Sequence, residues 1–252
     1  MKEIFVEGNS LPEAYHNALR ALYENGEIAD CTDYSQLQKE CGMTIHVKEP
    51  LLEPRVSKLF IGGHADVYQY EKEIVEGLLN FRIGHGWNYT YNERLMSQYP
   101  FIIKELKRNP SSRRAVIDVR DWQYDSKDGN DSPACLQHIQ YFIRNNKLDC
   151  CILFRSNDLP EATFMNMWGL IRLQEKVAAE LGVEVGTYTH RANSMHCYEK
   201  DFKLLDGYIK GLDRNEVLTY EYEGFYKELM EETHDELMAK VKILKMNVGI
   251  DV

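Results

Sequence analysis

No run of apolar residues in this sequence approaches the roughly 18 needed to span a bilayer, so an integral membrane protein built on helices is excluded. The first residues, MKEIFVEGNSLPEAYHNAL, hold no apolar core of signal-peptide length, and a cytoplasmic location is expected. There is no excess of basic charge. The formal net charge is −10, which argues against DNA or an anionic membrane as the main partner while leaving room for a local basic pocket. No C-x-x-C occurs among the six cysteines Cys31, Cys41, Cys135, Cys150, Cys151 and Cys197. Zinc ligation is therefore not indicated, and in a reducing compartment free thiols are expected. Repeats, low-complexity stretches and linker-like segments are also missing. What is present is ordinary globular composition, 44% hydrophobic and 28% charged over 252 residues, enough chain to bury a large core. One domain over residues 1–252 is expected.

Periodicity supplies the elements. SLPEAYHNALRALYENG (10–26) reads as a helix with Ser10 as N-cap, Pro12 in the first turn and Gly26 past the end. MTIHVKE (43–49) is strand-like, and QYEKEIVEGLLNF (69–81) is helical. Residues 97–121 read as helix, Pro-Ser turn and strand. HIQYFIR (138–144) and LDCCILF (148–154), joined by Asn145-Asn146-Lys147, predict a hairpin. In MNMWGLIRLQEKVAAELG (165–182), Met167, Leu170, Ile171, Val177, Ala178 and Leu181 make an apolar stripe ended by Gly182. VEVGTYTHR (183–191) returns to strand, and 223–243 reads as a helix solvated on one side. The expected class is α+β on a mixed or antiparallel-rich sheet.

Four short stretches carry chemistry. Arg113-Arg114 follow a turn-like Asn-Pro-Ser-Ser. Cys135 stands between a polar loop and a strand. FRSND places Arg155, Ser156 and Asp158 at a strand end, and HRANSMHCY places His190, His196 and Tyr198 at another. Taken singly, each has a plain reading: a solvated face, a buried thiol, a turn with a local ion pair, two histidines too far apart along an extended strand to share a metal.

Taken in order, they resemble thymidylate synthase and its pyrimidine hydroxymethylase relatives. The family pattern is an Arg-Arg pair, a nucleophilic cysteine just after a proline with Gln further along the strand, Arg-Ser-x-Asp, an Asn eight residues later, and His-x5-His-x-Tyr. Here these are Arg113-Arg114, Cys135 with Gln140, Arg155-Ser156-Asn157-Asp158, Asn166, and His190, His196 and Tyr198. NYTYNERL resembles the family's active-site tyrosine segment, with Tyr89 in the matching place. The wording is closest to the short archaeal-type synthases and spans roughly residues 70–206.

The resemblance implies a thymidylate-synthase-like mixed sheet with flanking helices, paired sheet to sheet in a homodimer. It implies that Cys135 adds to carbon 6 of a pyrimidine nucleoside monophosphate and that Arg155 supports the thiolate and the phosphate. Arg113 and Arg114 would reach the partner's phosphate site, where a planar fork suits a dianion. Asn166 would read the base, as uracil rather than cytosine. His196 and Tyr198 would hold the sugar, Ser156 would line the nucleotide site, and Asp158 would contact a folate. Glu73 is the expected proton-relaying carboxylate. The implied co-substrate is 5,10-methylenetetrahydrofolate or a related pterin, with no metal, and the implied product is dTMP from dUMP. Hydroxymethylation of CMP, dCMP or dUMP, with water in place of hydride, is the alternative. The chain departs from the family pattern at Ala162-Thr163-Phe164-Met165, Asn193-Ser194, Leu136 and Phe154, with Ser194 resembling the hydroxymethylases. The segments that bind phosphate near the N-terminus and folate through tryptophans are absent or too short to place.

Overall fold

The computed structural model describes residues 1–214 and 216–250. β1 (Glu3–Gly8) leads into α1 (Leu11–Asn25), whose first turn is capped by Ser10 accepting from the Glu13 amide. β2 (Glu27–Cys31), β3 (Gln36–Val47) and the short β4 (Val56–Ser57) precede α2 (His64–Glu76), α3 (Tyr91–Met96) and α4 (Tyr99–Arg108). Then come β5 (Val116–Asp118), α5 (Trp122–Asp125), β6 (Leu136–Arg144), β7 (Lys147–Asp158), α6 (Phe164–Leu181) and β8 (Glu184–Tyr198). The chain closes with α7 (Phe202–Asp213), β9 (Thr219–Tyr220), α8 (Lys227–Glu232) and α9 (His234–Asn247).

The main sheet has seven strands in the order β1-β3-β8-β7-β6-β5, with β2 also pairing β3. β1–β3 and β7–β8 are parallel, and the other pairs are antiparallel, so the expected mixed sheet is found. The β6–β7 hairpin turns at Asn145 and Asn146, with φ of 51° and 60°. Asparagine tolerates that left-handed conformation, which matches the right-handed twist of the two strands.

One face of the sheet carries Met43, Ile45, Tyr188, Ile152, Phe154 and Tyr141, all buried. α1 and α6 cover it, α2 packs on α6, and together they complete one hydrophobic cluster. Alternation places Thr44, Arg191, Leu153, Gln140 and Phe142 on the opposite face. No helix among the described residues packs there. Phe5, stacked on His46, is 62% exposed on that face.

Three segments differ from the sequence reading. β1 and β2 form where no strand is expected. α2 starts at His64, held by the Gly63 amide on Asp66 Oδ2 (2.8 Å), and stops at Gly77. The C-terminal helix is broken twice: Gly224 takes a positive φ of 96°, and at Thr233 the hydroxyl bonds back to the Met230 carbonyl between α8 and α9. No helix of the described residues is long and apolar enough to cross a membrane.

Candidate functional site

Cys135 is the residue immediately before β6, and Arg155 on β7 fixes it from beside. The Arg155 amide donates to the Cys135 carbonyl (2.8 Å). Its guanidinium donates to the carbonyls of Ala134 (3.2 Å) and Pro133 (3.0 Å). Gln137 Nε2 donates to the Ala134 carbonyl (2.8 Å), and the Leu136 amide donates to the Tyr91 hydroxyl (3.3 Å). A loop tied at consecutive carbonyls on one side and at the next amide on the other has little freedom to move its thiol. Burial pushes the Cys135 thiol above its ordinary value, and the Arg155 charge partly offsets this. The Cys135 thiol is therefore protonated at rest, with the Arg155 cation beside it.

His196 and Ser156 stand across the β7–β8 pairing. His196 Nδ1 lies 3.3 Å from both Ser156 Oγ and the Ser194 carbonyl. The carbonyl requires a proton on Nδ1, which leaves Nε2 as an acceptor. That Nε2 is buried without a hydrogen-bond partner, and burial holds the ring neutral by lowering its pKa. Tyr198 packs edge-on against His196 at 4.7 Å between centroids. His190 belongs to a different environment. It is fully buried, bonded to Asn157 Oδ1 (2.8 Å) and to the Tyr188 hydroxyl (3.1 Å), with burial pushing it down to about 3. It braces the strand end from the core side and shares no partner with His196.

Asn166 lies in the first turn of α6, 7% exposed. Its Oδ1 accepts the Tyr70 hydroxyl proton. Asp158 ends β7 and starts the turn into α6, accepting from the Glu161 amide (3.4 Å). Burial, then the neighbouring Glu161 and Asp201 charges, push its carboxyl up to about 7. Asp158, Glu161 and Asp201 bring one oxygen each within 4.8 Å of one another. Lys200 answers that charge at 2.6 Å from Glu161 and 2.7 Å from Asp201.

A cavity of about 330 Å³ is lined by Tyr70, the partner of Asn166, with Glu73, Trp87, Asn88, Tyr89 and Tyr91. Glu73 accepts from Gln69 Nε2 (2.7 Å), and burial raises its pKa. Burial pushes the Tyr89 hydroxyl up to about 12, and the groups that further perturb it are Cys135, Arg94, Asp125 and Arg155. Its ring lies under the Arg94 guanidinium, 4.0 Å from centroid to carbon.

Of the residues expected from sequence, Glu73 and Tyr89 line this cavity. Asn166 is joined to its wall through Tyr70, and the Cys135 loop, held by Arg155, is joined to it through Tyr91. Ser156, Asp158, His196 and Tyr198 stand at the β7–β8 end. Arg113 and Arg114 do not join them. Both are exposed, on the turn before β5. The Arg113 carbonyl is held by Gln140 Nε2 (3.0 Å), five residues beyond Cys135, or roughly 16 Å of strand. Three contributors are absent from the sequence reading: Tyr70, Tyr91, and the Arg94–Asp125 pair that supports Tyr89. Tyr91 had a legible signal. Thr90-Tyr91-Asn92-Glu93 has a capping pattern, and Thr90 Oγ1 does accept the Glu93 amide (3.1 Å), starting α3 and turning Tyr91 inward.

Comparison with known proteins gives one answer. The family model for thymidylate synthase matches residues 63–228. Two archaeal proteins named "Putative thymidylate synthase" align over most of both chains. The one from Methanocaldococcus jannaschii is 34% identical over 79% of this chain and 93% of its own. The one from Methanothermobacter thermautotrophicus is 37% identical over 81% and 98%. Among solved structures, the thermostable thymidylate synthase A from Bacillus subtilis superposes with a TM-score of 0.61 at 18% identity, covering 80% of this chain and 84% of that one, a likeness of fold. The sequence match over 63–228 and the two archaeal relatives show the family, and the shared fold accords with them: this chain belongs to the thymidylate synthase family.

Proposed function

We propose that the chain transfers a one-carbon unit to carbon 5 of dUMP and reduces it to a methyl group, forming dTMP. The observation that carries this is the Cys135 loop, clamped by three bonds from Arg155 while Asn166 stands ready in the same site. Carbon 6 of a uracil is electron-poor, and a thiolate adding there makes carbon 5 nucleophilic. Cys135 gives up its proton and forms the bond. Arg155 stabilises the thiolate and offers its outer edge to the nucleotide phosphate. Asn166 gives a hydrogen bond to carbonyl 4, where negative charge collects once carbon 6 is attacked. His196 Nε2 accepts from a sugar hydroxyl, which satisfies a buried ring nitrogen that has no hydrogen-bond partner, and Tyr198 closes the same corner. Ser156 keeps the His196 ring turned.

The co-substrate, 5,10-methylenetetrahydrofolate or a related pterin, supplies the one-carbon unit and the hydride. The cavity suits a flat heteroaromatic ring: Trp87 and Tyr89 offer faces, and Asn88 and Glu73 offer polar edges. Glu73 and Tyr89 are placed to manage the proton leaving carbon 5, and Asp158, titrating near neutrality, can meet a pterin edge in either protonation state.

The assay is the product. Incubated with dUMP and methylenetetrahydrofolate, the protein is expected to yield dTMP and dihydrofolate by mass spectrometry. A hydroxymethyl nucleotide with tetrahydrofolate would replace this reading by the hydroxymethylase one, which Ser194 favours.

The reading includes a homodimer. The uncovered sheet face and the distance of Arg113 and Arg114 from their own Cys135 support a second copy packed sheet to sheet, each lending its arginines to the other. Arg114→Ala and Cys135→Ala, each nearly inactive alone, should regain about one quarter of the wild-type rate after mixing and subunit exchange, because half the dimers are then mixed and each holds one intact site. No recovery despite verified exchange would place the arginines outside the partner's site.

A further inference from the structure

Asn166 is not free to turn. The Tyr70 hydroxyl meets Asn166 Oδ1, and a hydroxyl facing a carboxamide oxygen must be the donor. The contact therefore sets the amide with its oxygen toward α2 and its nitrogen away from it. Among the described residues no acceptor takes a proton from Asn166 Nδ2. Tyr70 is itself held. Its ring lies across Gly169, one turn beyond Asn166 on α6. A Cβ at 169 would stand 3.2 and 3.3 Å from ring carbons of Tyr70 and 3.1 Å from Ile74 Cγ1, so the close approach of α2 to α6 depends on a glycine there. Burial raises the Tyr70 hydroxyl pKa, so it remains a donor at any pH the protein meets.

A freely rotating asparagine can offer either end of its amide to a base. It would accept from the 4-amino group of cytosine as readily as it donates to the 4-carbonyl of uracil. We propose that Tyr70 is a specificity-determining positioning residue, locking the Asn166 amide with its nitrogen toward the base so that the site takes a 4-oxo pyrimidine and rejects a 4-amino one. This rests on the reading of Asn166 as the base contact. Tyr70 touches neither base nor thiol in this role. It acts through Asn166, and Gly169 makes its place.

The test is equilibrium binding of dUMP and dCMP to the full-length protein, with thermal unfolding recorded in parallel. Wild type is expected to favour dUMP, and Tyr70→Phe should cut that preference ~10-fold or more, chiefly by binding dCMP better, with a small change in Tm. In an Asn166→Ala background, adding Tyr70→Phe should leave the dUMP:dCMP ratio unchanged, because the residue it positions is gone. An undiminished preference in Tyr70→Phe, or an equal effect of Tyr70→Phe with and without Asn166, overturns the proposal. Wild type that binds neither nucleotide refutes the functional reading itself, a result distinct from binding both nucleotides with the ratio insensitive to Tyr70.

Discussion

Cys135→Ala is expected to lose at least ~10⁴-fold in the release of tritium from carbon 5 of labelled dUMP, while still binding the nucleotide within a few-fold. No other thiol can stand in. Cys150 is fully buried, and its burial pushes it far above the ordinary range; burial also takes Cys41 to about 11 and Cys197 to about 12. Cys151 pairs with Thr189 and Gln140 on the uncovered sheet face, away from the cavity. Cys31 ends β2 at the margin of the sheet, and among the described residues only Cys135 sits in a loop tied both to the Arg155 guanidinium and to the cavity-lining Tyr91. Because its thiol is raised by burial, the thiolate fraction is small near neutrality and grows ~10-fold per pH unit below that pKa. Inactivation of wild type by a haloacetamide should follow the same slope, and bound dUMP should protect. Arg155→Gln removes the offsetting charge and should slow alkylation further at each pH in this range. Tritium release that survives in Cys135→Ala would remove Cys135 from the chemistry.

The sequence makes the hairpin at Asn145-Asn146 and the helix ended by Gly182 readable because each rests on local residues whose preferences agree with their surroundings. The motif residues of β6, β7 and β8 are readable for a different reason: each needs a particular chemistry, and few residue types can supply it. β1 is harder. Ile4 and Val6 face the core, but Phe5 between them turns the alternation into a short apolar run, and its partner Thr44 lies far along the chain. Glu73 shows the limit of choosing by residue type. A carboxylate is the natural candidate for moving protons, but residue type gives no sign of Tyr70, one helical turn earlier on the same side, which reaches Asn166, 96 positions away. The arginine pair shows another limit. A solvated face and a face meant for a second copy read alike in the sequence and in an exposed turn, and subunit mixing is the measurement that separates them.

Arg94→Ala should destabilise the protein by about 3–5 kcal/mol near neutral pH, a large part of the ~5–15 kcal/mol that holds a typical domain folded. Arg94 donates to both oxygens of Asp125, at 2.7 and 3.1 Å, and to the Val119 carbonyl at 2.9 Å. The Asp125 side chain is 0% exposed and also accepts from the Asp121 amide at 3.0 Å. Burial opposes its ionisation, but Arg94 and the amides of Asp121 and Ala134 outweigh burial and hold the carboxyl below its usual range. In wild type this group adds stability that is present above the unfolded carboxylate pKa of about 4 and lost as pH falls through the lower folded value. Without Arg94 the carboxylate is buried without its cation and its folded pKa moves above the unfolded one. The variant then binds a proton on folding and recovers stability as pH drops from neutrality toward about 4. Urea unfolding should therefore show a penalty that is large near neutrality and shrinks on acidification, and Asp125→Asn added to Arg94→Ala should recover part of it. A loss under about 1 kcal/mol with no pH dependence would show that the pair is not what supports this region. The same change reaches the chemistry: the Tyr89 ring loses the cation above it, and Asp125 loses the partner that holds it against the Ala134 amide, one residue before Cys135. Under conditions where Arg94→Ala is still fully folded, its tritium release should remain well below wild type.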